Sequence, residues 1–296
     1  MLKWAVVVEY IQRVTDRKFE LLSVNEVSGG DINRVYVLKG VEKQYFVKIN
    51  KAELLSMFET EALGLLALSE TNTLKIPEVI THGVAEKYAF LVLEYIELYS
   101  LKKSSSQELG QKLAELHQQK QSYFGWSQGN FIGHNAQKNA QTSDWVSFWQ
   151  EQRLAAQLEL AEKKGYLGSL QSLGQELVSQ VPYFFDNYQP QASLLHGDLW
   201  SGNASATKNG QAIIYDPACY CGDREADIAM TELFGGFSAD FYNAYERVWP
   251  LDSGYGQRKS LYNLYHILNH LNLFGRSYLS QAEMMMRQLL DGSLRA

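Results

Sequence analysis

LLHGDLWSGNASATKNGQAIIYDPACYCGDREAD, residues 194–227, holds two acids and an amide at spacings that decide how the rest of the chain is read. His196, Gly197 and Asp198 follow a short apolar strand at 193–195, Asn203 comes five residues after Asp198, and Asp216 closes a second apolar strand at 212–215. A hairpin can bring such groups to one cleft. Either tripeptide, His-Gly-Asp or Asp-Pro-Ala, is commonplace alone, and the order and spacing together carry the signal.

Transfer of a nucleotide's terminal phosphoryl group spreads negative charge over its oxygens, and the cations that offset it need hard oxygen ligands. In protein kinases the loop H-R-D-x-x-x-x-N supplies a base and a metal-binding Asn, and the Asp of a later D-F-G supplies the main magnesium carboxylate. His196-x-Asp198-x-x-x-x-Asn203 keeps the first spacing, and Asp216-Pro217-Ala218 stands where D-F-G would. Asp198 is then expected to face an acceptor hydroxyl, and Asn203 and Asp216 a divalent metal.

Size and composition agree with an enzyme. The 296 residues suit one large or two medium domains, and 46% hydrophobic content is ordinary for a globular chain. A net charge of −6 argues against a general nucleic-acid surface. Cys219 and Cys221 form a C-x-C pair, too few for a disulfide scaffold and without a second Cys/His pair for zinc, so they read as reduced, packed thiols. The short apolar run Ala5–Val8 is followed by Glu9 and lacks the features of a signal peptide, and no stretch reaches the length of a membrane span. A cytoplasmic protein without a membrane partner is expected.

Residues 3–14 read as an amphipathic helix, and 21–27, 33–38 and 44–49 as three antiparallel strands. The first turn carries Gly29 and Gly30, whose bare backbone can lie over phosphates, although a glycine pair equally makes an ordinary hairpin turn and departs from the kinase G-x-G-x-x-G. Lys48, flanked by apolar residues in the third strand, matches the lysine that holds the α/β-phosphates. An inward lysine needs a partner. Glu59 and Glu61 flank the stripe Leu54, Phe58, Ala62 and Leu65 almost symmetrically, so helical periodicity does not choose between them.

The run Tyr88–Tyr95 suits a strand covered on both faces, and the change in composition at 94–97 places a lobe boundary there, giving lobes 1–95 and 96–296. Backbone groups at such a hinge, at Glu94 and Ile96, are expected to hold an adenine ring. Beyond Ser100 the chain reads as mainly helical. His117, beside Leu109, Leu113 and Leu116, reads as a core residue, and residues 122–143, rich in Gly, Asn, Gln and Ser, as a long connection of the kind that is often functional. Asp227, at the start of a helix over 225–234, either accepts N–H bonds from the loop around Asp198 or caps its own helix. Tyr262, Tyr265, His266, Asn269 and His270 recur at one-turn spacing and read as half-buried packing. The expected fold class is α+β and bilobal, an antiparallel sheet plus helix followed by a mainly helical lobe with a catalytic hairpin.

SGGDIN at 28–33, YFVKIN at 45–50, MFETEALGL at 57–65, the FGW…NFIG…DW…RL series between 124 and 154, HGDLWSGN at 196–203 and DPACYCGDREADIAM at 216–230 together resemble the fructosamine/ketosamine-3-kinase family, within the protein-kinase-like group that also holds aminoglycoside and choline phosphotransferases. The resemblance implies ATP- and Mg2+-dependent phosphorylation of the C3 hydroxyl of a ketosamine, free or on a glycated protein lysine. The 3-phosphate adduct is unstable and releases the amine. It further implies that Asp198 is the base, that Asn203 and Asp216 bind magnesium, and that Lys48 holds the α/β-phosphates with Glu61 fixing it. Gly29, Gly30, Asp31 and Ile32 would cover the phosphates, Asp227 would brace the catalytic loop with His196 in support, and Trp200 would offer the sugar an apolar face. Cys221 stands where many members carry an aromatic residue, and residues 126–130 are looser than the family pattern. Two other readings compete: an aminoglycoside- or choline-type phosphotransferase sharing the catalytic residues, and a non-catalytic nucleotide-binding module, which predicts a missing base, metal ligand or lysine where none is missing.

Overall fold

Alternation of side chains builds the first third of the molecule. The computed structural model describes residues 2–27 and 32–293. Strands β1 (Leu21–Val27), β2 (Arg34–Gly40), β3 (Gln44–Lys51), β4 (Val79–Ala85) and β5 (Tyr88–Glu94) form one antiparallel sheet in the order β1-β2-β3-β5-β4. Helix α1 (Trp4–Thr15) buries Val7 and Ile11 among Leu38, Val47, Phe90 and Val92, while α2 (Leu55–Glu70) packs Phe58, Ala62, Leu65 and Leu68 with Leu91 and Leu93. Successive strand residues point to opposite faces. That is why β5 is apolar from Ala89 to Leu93: Phe90 and Val92 enter the cluster with α1, and Ala89, Leu91 and Leu93 the cluster with α2. The same alternation places Tyr45, Val47 and Ile49 of β3 with α1 and sends Lys48 to the α2 side.

After β5 the chain is mainly helical, with α3 (Lys103–His117), α4 (Trp145–Trp149), α5 (Ala156–Lys163), α6 (Ser169–Gln180), α7 (Arg224–Leu233), α8 (Ala239–Val248), α9 (Tyr255–Phe274) and α10 (Leu279–Ser293). Short strands interrupt these helices: β6 (Asn130–Ile132), β7 (Asn135–Gln137), β8 (Ala192–Leu195), β9 (Ala204–Ala206), β10 (Ala212–Ile214) and β11 (Tyr220–Asp223). They pair as β6–β7, β9–β10 and β8–β11. The strand before His196 therefore does not pair with the strand before Asp216, and the hairpin between Asn203 and Asp216 is β9–β10. The stretch 122–143 has no apolar period, yet it holds the β6–β7 hairpin. Its buried alternate positions, Asn130, Ile132, Asn135 and Gln137, are three amides and one hydrocarbon.

Helix α9 is the axis of the larger half, burying Leu261, Leu264, Ile267, Leu268 and Leu271 in the main core. Arg258, also on α9, grips Glu225 of α7 through Nε at 2.7 Å and Nη2 at 3.1 Å, and Nη2 donates to Asp252 at 2.6 Å. Among the described residues no helix is long and apolar enough to cross a membrane.

His266 on α9 gives the fold an acid-sensitive point. Burial, with the nearby His270, outweighs the attraction of Asp227 and holds its imidazole down to about 3. Below its ordinary value of 6.5 an unfolded chain takes up a proton that the folded chain refuses until about pH 3, so stability is complete above pH 6.5 and falls as pH drops. At about 1.4 kcal/mol per pH unit, roughly 2 kcal/mol is lost by pH 5. Thermal unfolding of the unaltered protein and of His266→Gln between pH 8 and pH 5 checks this: the variant's acid slope should be shallower by that amount.

Candidate active site

Lys48 joins the two halves. Its buried ammonium donates to Glu61 Oε1 of α2 and to Asp216 Oδ1, both at 2.6 Å. Burial works against that charge, but Asp216 and Glu61 outweigh it and hold the Lys48 pKa above its usual value. The choice of Glu61 over Glu59 follows from what α2 meets on its second side. Gly64 lies so close to the segment after Asp216 that a Cβ there would sit 3.1 Å from Cys219 Sγ and 3.4 Å from Pro217 Cγ. The helix is thereby oriented by both the sheet and this distant segment, which turns Glu61 toward Lys48.

Asp198 is held by its backbone and by its neighbours. His196 Nε2 donates to the carbonyl of Tyr215 at 2.9 Å, and its Nδ1 accepts from the Asp198 N–H at 3.3 Å, so one neutral imidazole links the chain around both acids. Burial holds the His196 pKa below its usual value, consistent with that tautomer. Behind it, Asp227 accepts from the N–H groups of His196 at 2.7 Å and Gly197 at 2.8 Å, and lies 3.2 Å from His117 Nε2. Of the two positions open to Asp227, loop brace or cap, it takes the first, while Asp223 caps α7 by accepting from the N–H of Glu225. His117 is buried, as expected, and its Nδ1 meets Tyr245 Oη at 2.9 Å. Gly197, at φ +80°, passes so near Ala218 that a Cβ would sit 2.2 Å from the Ala218 carbonyl oxygen.

These groups open onto one cavity of about 820 Å³. Ile32, Lys48, Glu61, Glu94, Ile96, Asp198, Trp200, Asn203 and Asp216 all line it; His196 and Asp227 stand behind the wall, and Gly29, Gly30 and Asp31 lie outside the described residues. At the end of β5 the Glu94 N–H donates to the Glu78 carbonyl at 2.8 Å, and the Glu94 carboxylate accepts from Lys75 at 2.7 Å. Burial, with the negative charges of Asp216 and Asp227, pushes the Asp198 carboxyl up to about 7, opposed by a hydrogen bond from Asn203. Asp216 itself adopts φ +59°, a left-handed conformation that a non-glycine residue holds only when its surroundings impose it.

Part of the cavity wall is aromatic. Trp200 meets Phe234 edge-on at 6.3 Å, and His270 is ringed by Phe234, Phe274 and Tyr278 at 4.8, 5.3 and 5.2 Å. The stripe read as packing therefore divides. Tyr262 and Tyr265 are in the core and His266 is buried, whereas Asn269 and His270 face the cavity. Phe131 and Gly133 of the β6–β7 hairpin also line it, and nothing in their apolar pattern gave them away.

A divalent cation has a fitting donor set. Asn203 Nδ2 donates to the Asp198 carbonyl at 2.8 Å, which leaves its Oδ1 for a cation, and Asp216 has one carboxylate oxygen on Lys48 and one remaining. Both are hard oxygen ligands. No group of three or more His, Cys, Asp or Glu suited to a metal occurs among the described residues, so a cation here would draw its other ligands from phosphate and water, as magnesium commonly does.

Residues 3–292 match the Fructosamine kinase family. The chain belongs to that family. It is 44% identical over 288 residues to a "probable ketoamine kinase" of Synechocystis, covering 97% of each chain. It is 40% identical over 266 residues to the chloroplastic protein-ribulosamine 3-kinase of Arabidopsis thaliana, covering 89% of this chain and 81% of that one. The crystal structure of a candidate fructosamine-3-kinase from Haemophilus somnus 129PT superposes with a TM-score of 0.89 at 30% identity, covering 97% of both chains. The fold is thus the bilobal α+β arrangement of protein-kinase-like enzymes.

Proposed function

We propose that the chain is an ATP-dependent kinase that phosphorylates the C3 hydroxyl of ketosamines, free or on protein lysines, and so initiates their deglycation. The reading rests on one observation: Lys48, Asp198, Asn203 and Asp216 share a single cavity whose wall is partly aromatic and includes Trp200. Residues 1–95 form the nucleotide-binding lobe and 96–296 the catalytic and acceptor-binding lobe. Lys48, fixed by Glu61, holds the α/β-phosphates, Gly29, Gly30, Asp31 and Ile32 cover them, and the backbone at Glu94 and Ile96 holds the adenine.

Asp198 orients the acceptor hydroxyl and takes its proton, and a carboxyl pushed up to about 7 is well matched to that exchange near neutrality. Asn203 and Asp216 would hold magnesium, which would neutralise charge on the phosphoryl group. Trp200 lies against the sugar. Asp227 and His196 keep the Asp198 loop in place. The 3-phosphate formed on the ketosamine is unstable and frees the amine.

ATP consumption on ribulosyl- and erythrulosyl-lysine, measured beside kanamycin and choline, tests this. Turnover with the ketoamines is expected; turnover confined to kanamycin or choline would replace the reading with the second phosphotransferase class.

A further inference from the structure

Arg153 is fully buried and, among the described residues, has no carboxylate partner. Its guanidinium lies 4.0 Å from the Tyr220 ring and 4.5 Å from the Phe148 ring, donates through Nη1 to the Lys138 carbonyl at 2.6 Å, and leaves Nε without a partner. A buried cation without a counter-charge is costly. Nη1 also donates to the Gln152 carbonyl at 3.0 Å, and Nη2 begins a directed chain. Arg153 Nη2 donates to Asn139 Oδ1 at 2.8 Å, Asn139 Nδ2 to Asn130 Oδ1 at 2.8 Å, and Asn130 Nδ2 to the carbonyl of Cys219 at 2.8 Å. Gln137 Nε2 joins in, donating to Asn130 Oδ1 at 2.8 Å and to the carbonyl of Ala218 at 3.1 Å, while its own oxygen accepts from Tyr265 at 2.6 Å.

Each carboxamide in that chain can be turned end for end. Guanidinium only donates and a backbone carbonyl only accepts, so placing one at each end selects a single sense for every amide between them. The chain terminates on the two carbonyls that follow Asp216-Pro217, and the Ala218 N–H is fixed as well, donating to the His196 carbonyl at 2.8 Å. Asp216, in its left-handed conformation, therefore has its C-terminal side clamped from the β6–β7 hairpin.

We propose that Arg153, Asn139, Asn130 and Gln137 are positioning residues for Asp216, with the donor-only cation of Arg153 setting the sense of an amide relay that holds the metal-binding carboxylate in place. This rests on the assignment of Asp216 as a magnesium ligand. Partners that orient a metal ligand typically change metal affinity or activity by about 10- to 100-fold when altered.

Asn139→Asp separates positioning from packing. The new carboxylate still accepts from Arg153, and gives it a counter-charge, but it presents an acceptor to Asn130 Oδ1. Asn130 Oδ1, still accepting from Gln137 Nε2, is repelled by that carboxylate, and the displaced Asn130 loosens its N–H from the Cys219 carbonyl. Calorimetric titration with ADP, in magnesium or in EDTA, reads the effect without any acceptor substrate. Magnesium should tighten ADP binding to the unaltered protein. In Asn139→Asp that tightening should shrink by about tenfold or more, with the affinity in EDTA unchanged and the melting temperature unchanged or higher.

Undiminished tightening in Asn139→Asp overturns the relay and leaves the kinase reading standing. No tightening in the unaltered protein overturns both. Should Asn139→Asp fail to fold, Arg153→Lys and Arg153→Met are compared: the lysine, which still only donates, should keep more of the tightening than the methionine, and like behaviour of the two overturns the relay.

Discussion

Asp198→Asn lowers kcat on a ketoamine by about 10²- to 10⁴-fold, the range expected when a positioned general base is lost. The side chain keeps its shape, the 2.8 Å bond from Asn203 goes to the Asp198 backbone carbonyl, and the longer one at 3.4 Å to its carboxylate can be accepted by the amide oxygen of the variant, so the loop should be unchanged. Stability should not suffer either. Burial first, and then Asp216 and Asp227, raise the Asp198 pKa, so removing its charge relieves both desolvation and repulsion. The discriminating result is a large fall in kcat with ADP affinity and melting temperature maintained, measured by single-turnover phosphoryl transfer, calorimetry and thermal unfolding. Undiminished turnover would mean that another group takes the proton, and the assignment of Asp198 would fail.

The largest effect on stability belongs to Arg258→Met. Glu225 is completely buried, and Arg258 provides both N–H donors to its carboxylate. Breaking a buried pair by removing one partner typically costs about 3–5 kcal/mol, because the surviving charge stays in the interior. Glu225→Gln in the same background removes that stranded charge, so the double variant should recover much of the loss, a coupling that urea denaturation of all four proteins resolves. The consequence for function is indirect. Helix α7 carries both Glu225 and Asp227, so loosening its dock on α9 also loosens the acceptor of the His196 and Gly197 N–H groups. A loss below about 1 kcal/mol would show that Met can satisfy the site, as happens when whole buried ion pairs are replaced by apolar groups.

Much of this molecule is legible in the chain because charge chemistry imposes spacing. Asp198, Asn203 and Asp216 are close in sequence, and turning them toward one cavity takes only a loop and the β9–β10 hairpin. Much of the sheet is legible too, since β2 and β3 bury residues at alternate positions and β5 is apolar from Ala89 to Leu93. What stayed open depends on contacts between remote segments. Glu59 and Glu61 are equivalent on a bare helix, and the tie is broken by Gly64 against Pro217 and Cys219, about 150 residues further along. The β6–β7 hairpin escaped notice because its strand period is written in asparagine and glutamine, whose burial is made tolerable by hydrogen bonds that hydropathy cannot register. On α9, Tyr265 and His270 are alike in polarity; only the position of Phe234 and Phe274 puts one in the core and the other at the cavity.

The contact of Gly64 with Cys219 makes the chain its own stopwatch. The thiol is buried and donates to the Gly64 carbonyl at 3.6 Å, and burial holds its pKa well above the ordinary value, so in the closed arrangement it is neither reachable nor nucleophilic. A reagent such as iodoacetamide reaches it when α2 draws away from residues 217–219, so alkylation at Cys219, told apart from Cys221 by peptide mapping, records a parting of the two halves. Nucleotide spanning that seam would slow the clock.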